Sequence, residues 1–595
     1  MMKRGLRGLA LVLTLVCVVP AMLFATGAQE TASGTTKVSS LPRSETLYFN
    51  GLQWGTAASH NPIGASGVDA FITNNNAIPR LVIYETLFAY NQMDGKLYGL
   101  LGKDYTWKDD GKVLSVTLKP AAHWNDGVAL TADDVVYTYK LGQKYMLNIS
   151  SVWSYLDDVR KVDDYTVEFV GSSKNYNRLM MEYAISAIYI MPKHIWEKRE
   201  AEAGNDGAKL MQIVNEDTVA SGPYKLYSSD DTKIVLVRDD NYWGKDPSMF
   251  GKLPKPKYLA HNIFKDNASG DAALRANQVD ISQQFISQVW KMWEGGAPVK
   301  TYLSELPYYV PGTIPWLIIN VHKSGLDDPV VRRAIAMSID YSLIAKNAMS
   351  GYTAKMVPSL LLPTDVEQSL VDTNALKPYQ WGATVDVAGA NKLLDDAGWK
   401  KGSDGIREKN GVKLSFKVEC PSGWSDWQAS LEVVSQSTKA IGMDIHTYYP
   451  EAGVMINDMQ TGNFDLCMYS YSGIGISSPW DRARTAMSSV DLPAIGQTAY
   501  HNYGRYSNPQ ADKLIQQIAN ETDPATLKKL WTDLNLIYLK DIPCIGLMYR
   551  PNVFYTVNTS VWDGFPMNGD GTNVPPALCM DGYGIWGLYN LHAKK

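Results

Sequence analysis

A mixed α/β fold with more than one domain is predicted by three observations. The chain has 595 residues, too many for one hydrophobic core and enough for two to four domains of roughly 100 to 200 residues. Its composition is that of a globular protein, 45% hydrophobic and 20% charged, so a folded chain is expected. KLSFKVECP at 413–421, a helix through Leu431 to Ile441, and FDLCMYSYS at 464–472 follow in order. Strand, helix and strand in that order imply a β-α-β unit with a parallel sheet.

Residues 1–28 read as an export signal. Lys3, Arg4 and Arg7 precede the apolar run Leu9 to Phe24, and small residues follow at Ala25, Thr26, Gly27 and Ala28, the layout of a secretory signal peptide. Cleavage is expected near Ala25 or Ala28. The alternatives are a membrane anchor, since the run approaches a spanning length, and lipidation at Cys17, against which the bulky Val16 stands. Residues 29–43, QETASGTTKVSSLPR, read as a flexible leader.

Structure is expected from Thr46, where LYFNGLQWG forms a first strand. HWNDG at 123–127 is a tight turn with Asp-Gly in the left-handed position. Thr131 caps a helix whose first turn carries Asp133 and Asp134, where carboxylates suit the dipole. SGPYKLYSSDDTKIVLVRDDNYWG at 221–244 reads as two strands around a polar turn. Asp328 and Pro329 open a helix with Val331, Ile335 and Ile339 on one face. Asp386 opens another, which buries Ala390, Leu393, Leu394 and Ala397 and stops at Gly398.

The charge excludes one class of partner. Lys and Arg total 56 against 61 acids, a formal charge of −5 that becomes −8 without the first 28 residues, so no cationic surplus exists to neutralise a phosphate backbone. Cys420, Cys467 and Cys544 lie in apolar strand-like runs and read as small buried hydrophobes; with Cys579 they form no disulfide framework. The eight histidines are scattered without metal-ligand spacing. No metal and no cofactor are expected. Walker, GxGxxG, GxSxG and HExxH motifs are absent, and no carboxylate pair is singled out for glycoside hydrolysis. A secreted glycosidase therefore ranks below a binding protein. The 17 Trp and 35 Tyr exceed what core packing requires and point to recognition by stacking.

Seven segments then carry a resemblance. YETL at 84–87, WNDG at 124–127, TADDVVY at 131–137, SGPYKL at 221–226, NYWG at 241–244, VRRAIA at 331–336 and KLLDDAGW at 392–399 occur in order. Together they resemble the family 5 extracellular solute-binding proteins, the dipeptide and oligopeptide class of ABC-importer receptors, over residues 45–560. The resemblance implies a type II, cluster C periplasmic-binding-protein-like fold, bilobed, with an extra subdomain in the first lobe. Lobe 1 is expected from 44–85, 215–315 and 545–595, the inserted subdomain from 86–214, and lobe 2 from 316–544. PWLIIN at 315–320 and IPCIGLMYR at 542–550 look like the crossings. The implied protein is a monomer that docks on a membrane permease and has no catalytic residue.

The ligand is the harder question. Peptide-binding members usually carry a W-x-A-D-Y-type segment whose aspartate holds the α-amino group; here YSYSGIGISSPW at 469–480 has no aspartate before Asp481. An ammonium buried without its carboxylate is costly. LQWG at 52–55 and GWSDW at 423–427, with SGPYKLY, WGKD, PKYLAH and KDN, are similar to the cellobiose and β-linked oligosaccharide branch. That similarity implies Trp54, Trp424 and Trp427 as stacking platforms, with Gln53 and Asp426 as hydroxyl partners. Tyr471, Trp480, Tyr549 and Arg550 stand at strand ends expected to face the cleft. An oligosaccharide ligand is therefore expected, with an oligopeptide as the alternative. Trp107, Trp124, Trp243 and Trp399 read as core.

Overall fold

The computed structural model describes residues 41–594 apart from 54, 65–67, 73, 76–77, 472, 552–553 and 577–580. The export signal, Cys17, most of the leader, Trp54 and Cys579 lie outside the described residues. Two hydrophobic cores organise the remainder, one centred on Leu47, Phe49, Trp124 and Trp562, the other on Trp316, Phe416, Leu431 and Leu534.

The chain enters lobe 1 through β1 (Thr46–Asn50). Arg43 anchors that entry with an ion pair to Asp280 at 2.6 Å. A subdomain follows, with β2 (Gly102–Lys108), β3 (Val113–Leu118), α1 (Ala132–Lys144), β4 (Leu156–Asp163), β5 (Thr166–Gly171) and α2 (Arg178–Ala187). Its sheet is antiparallel in the order β2-β3-β5-β4. Gly127 takes φ +87° in the predicted Asp-Gly turn. Thr131 caps α1, and Asp134 accepts from the Thr131 amide at 2.9 Å, a reciprocal box. Thr131→Ala is expected to lower stability by about 1 kcal/mol in urea unfolding, with Thr131→Ser near wild type.

Lobe 1 resumes with β6 (Tyr224–Ser229), β7 (Lys233–Arg238), β8 (Tyr258–Asn262), β9 (Ile281–Ser282) and β10 (Val299–Thr301). The chain then runs through β11 (Pro311–Thr313) into lobe 2, made of β12 (Pro315–Ile319), α3 (Pro329–Ser338), α4 (Val387–Asp396), β13 (Ser415–Glu419) and α5 (Ser425–Lys439), then β14 (Asp444–Tyr448), β15 (Leu466–Ser470), α6 (Ser478–Met487), α7 (Pro509–Ile518) and β16 (Cys544–Gly546). It returns by β17 (Arg550–Pro551) to β18 (Thr556–Asn558).

Lobe 1 carries a seven-stranded sheet in the order β6-β7-β8-β1-β9-β18-β10, and lobe 2 a five-stranded sheet in the order β14-β13-β15-β12-β16. In the latter, β13 runs parallel to β14 and β15, as the β-α-β pattern predicted, while β12 is antiparallel to both neighbours. The two crossings lie side by side: β11 pairs with β17, and directly beyond it β12 pairs with β16. Cys420, Cys467 and Cys544 are buried and free. Asp328 and Asp386 cap α3 and α4 as expected.

Candidate functional site

The parallel strands β13 and β15 end at the same edge of the lobe 2 sheet, the edge where open α/β sheets collect ligands. An aromatic series runs along it. Trp424 meets Trp427 edge-on at 4.7 Å; Trp427 is followed by Tyr469 at 6.3 Å, Tyr503 at 6.1 Å, Tyr471 at 6.2 Å and Trp316 at 5.8 Å. Trp424 stays 40% exposed at one end, while Trp427, Tyr471 and Trp316 are buried.

At the other end lies a cavity of about 700 Å³. Tyr155, Met180 and Tyr183 line it from the inserted subdomain, and Tyr471, Asp481 and Arg484 from lobe 2. Asp481 stands in the first turn of α6, and Arg484, one turn on, is 3.6 Å from it. The two side chains are about one-third exposed, so the cavity presents both signs of charge against phenol rings. Such a site suits a ligand with an ammonium, a carboxylate and apolar side chains.

The expected site residues divide into groups. Trp424, Asp426, Trp427 and Arg550 come together: Asp426 accepts from Arg550 Nε at 2.8 Å, which ties α5 to the returning crossing, and the Arg550 guanidinium lies 5.1 Å from the Phe554 ring centre. GWSDW is not a free loop, since Trp424 holds the N-cap position and Ser425–Trp427 form the first turn of α5. Tyr471 lines the cavity. Trp480 is buried beside it, its indole donating to the Ile515 carbonyl at 2.9 Å and its ring edge-on to Tyr155 at 6.4 Å. Tyr549 is 1% exposed with its hydroxyl donating to the Val357 carbonyl at 2.6 Å, and it is not among the residues lining the cavity. Gln53 is nearly buried and its amide donates to Gly55 O at 2.7 Å.

Asp481 and Arg484 were not singled out from the sequence. The signal was the SPWD segment itself, a helix start that puts an acid in its first turn. Trp124, Trp243 and Trp399 are core residues as expected; Trp107 is half-buried beneath the Arg178 guanidinium at 3.8 Å. Among the described residues, no cluster of His, Cys, Asp and Glu could hold a metal ion, and no helix is long and apolar enough to cross a membrane.

The family model described as bacterial extracellular solute-binding proteins, family 5 Middle, matches residues 96–493. The chain belongs to this family. Its members are the solute-binding components of ABC importers and not enzymes. This receptor accordingly works in the periplasm or outside the cell and has an importer permease as its partner. It is similar to the oligopeptide-binding protein AppA of Bacillus subtilis, 25% identical over 458 residues covering 75% of this chain and 76% of that one. The probable peptide-binding protein YejA of Agrobacterium fabrum is 22% identical over 497 residues, 78% of each chain. Among solved structures, the periplasmic oligopeptide-binding protein of Thermotoga maritima with bound mannohexaose has a TM-score of 0.76 and 28% identity, covering 93% of this chain and 99% of that one.

These findings bear out the bilobed fold and correct the ligand branch. AppA and YejA both carry peptide names, and even the mannohexaose-bound protein is named as oligopeptide-binding. The cellobiose, oligosaccharide-binding and sugar-transport labels drawn from LQWG and GWSDW therefore do not hold. The physical reason is that aromatic residues beside an acid are not specific to sugars: here Trp427 packs into the core and Asp426 is held by Arg550.

Proposed function

We propose that this receptor captures oligopeptides for import and that its ligand sits between the inserted subdomain and lobe 2. The observation that carries the reading is the cavity holding Asp481 and Arg484 among tyrosines. Asp481 supplies a carboxylate for a peptide ammonium, which removes the objection raised by the segment 469–480. Arg484 offers planar donors to a carboxylate or peptide carbonyl. A cavity of about 700 Å³ falls within the roughly 300–1,000 Å³ of small-ligand sites and fits a short peptide. Trp424, Asp426 and Arg550 lie along the same edge toward the crossings and are assigned to its outer end, with Trp427 packed in the core behind Trp424.

Lobe 1 is taken as 44–85, 215–315 and 545–595, with the subdomain 86–214 inserted, and lobe 2 as 316–544, so that β12 and β16 straddle the two boundaries. Closure then occurs about the paired crossings. A ligand that touches both lobes stabilises the closed arrangement, because the open one lacks half of its contacts.

Isothermal titration with di- to pentapeptides and with mannohexaose tests the reading. Peptides are expected to bind, and Asp481→Asn is expected to weaken them about 10- to 100-fold, the value of a charged hydrogen bond, with the urea midpoint unchanged. Tight mannohexaose binding with no peptide binding would overturn the assignment.

A further inference from the structure

Two helix ends meet next to Met180, which lines the cavity. Helix α2 of the inserted subdomain starts at Arg178, and its N-cap Asn177 accepts from the Met180 amide at 3.0 Å. That bond leaves the amides of Arg178 and Leu179 without an intrahelical acceptor, as at any helix N-terminus. Both find partners at the end of α7 in lobe 2: the Arg178 amide donates to Asn520 Oδ1 at 3.0 Å, and the Leu179 amide to the Ala519 carbonyl at 3.4 Å. Asn520 also donates through Nδ2 to the Tyr176 carbonyl at 3.3 Å. The positive end of one helix thus faces the negative end of the other, an arrangement the two dipoles favour.

The contact joins the two walls of the cavity. Met180 and Tyr183, on α2, line it from one side. On the other, α6 carries Asp481 and Arg484, and α6 is tied to α7 through the bond from Trp480 to Ile515. Separating the walls breaks three hydrogen bonds, returning their donors and acceptors to water, and parts Tyr155 from Trp480.

We infer that the docking of α2 on α7, centred on Asn520, is a latch that holds the cleft shut and sets the rate of ligand release. The latch deepens the receptor reading and rests on it for the ligand's identity. Opening must break the latch, whereas entry precedes its formation, so its removal acts on release more than on capture.

A cysteine pair, Leu179→Cys with Ala519→Cys, tests the geometry without ligand. Under mild oxidation the pair is expected to cross-link within one chain, read by mass spectrometry, and adding Asn520→Ala is expected to lower the yield. A pair that fails to cross-link would overturn the latch. Release is then measured with tetraalanine by stopped-flow tryptophan fluorescence. Asn520→Ala is expected to raise the release rate about 3- to 10-fold, the loss of one to two modest hydrogen bonds, with the association rate within twofold. The oxidised pair is expected to release at least 10-fold more slowly than its reduced form. An unchanged release rate in both variants would refute the proposal. If tetraalanine does not bind the wild type, the peptide reading fails and the cross-linking result alone decides the latch.

Discussion

Glu367→Ala is expected to destabilise the protein by about 3 to 5 kcal/mol, the cost of leaving a buried charge without its partner. Arg482, on α6, is fully buried; it bonds the carbonyls of Leu360 at 2.9 Å and Gly473 at 3.0 Å and pairs with Glu367. Glu367 also accepts from the Leu362 amide at 2.6 Å, so the mutation strips two donors at once. Urea unfolding followed by tryptophan fluorescence measures the loss. Adding Arg482→Met to Glu367→Leu should recover much of it, because an apolar pair of similar volume carries no desolvation cost. A single variant as stable as the wild type would show that the pair contributes nothing.

Acid is expected to destabilise lobe 1 through His261. The residue lies fully buried on β8, its ring edge-on to Phe71 at 5.8 Å, with no hydrogen-bond partner among the described residues. Burial, reinforced by the Arg80 charge, holds its pKa down at about 3 against an ordinary 6.5. The unfolded chain therefore takes up a proton below pH 6.5 that the folded chain refuses until about pH 3. Stability from this group is complete above pH 6.5 and falls with pH by about 5 kcal/mol at the limit.

Glu85 works in the opposite direction. It is buried with Tyr242 donating at 2.6 Å and Trp243 at 2.8 Å, and burial pushes its carboxyl up to about 7 from 4.5. Its contribution is complete below pH 4.5 and is lost as pH rises through 7. The two slopes oppose each other between pH 4.5 and 6.5, so the acid limb of His261 should emerge below pH 4.5. Urea titrations between pH 8 and 3.5 should show a shallower acid limb in His261→Phe. An identical limb in both proteins would sink this account.

The elements legible in the sequence were those with local punctuation. Thr131, Asp328 with Pro329, and Asp386 marked helix starts because a cap needs only its own first turn. Sheet order was not legible: β18 lies between β9 and β10, more than 250 residues earlier, and no local pattern encodes such a partner. The start of α5 was not legible as helix, because two tryptophans and an acid mimic a binding segment, although Trp427, Leu431 and Val434 already keep helical spacing. Aromatic abundance misled for a related reason. Trp124, Trp196, Trp316 and Trp562 are among the largest fully buried side chains, so the count reported core volume as much as ligand stacking. Asp481 could be placed only as lying just beyond the segment 469–480, because its value depends on the residues that face it across the cavity.

The position of β18 also bears on the order in which the protein can assemble. The five strands of the lobe 2 sheet all fall between Pro315 and Gly546 and are complete once Gly546 has emerged. The lobe 1 sheet is different, because β10 has β18 as its neighbour and cannot join until residues 556–558 arrive. Completion of the first lobe thus waits for the last tenth of the chain. An exported protein must cross the membrane before it becomes compact, and a sheet whose keystone strand is synthesised near the end keeps its N-terminal portion unfinished during that interval.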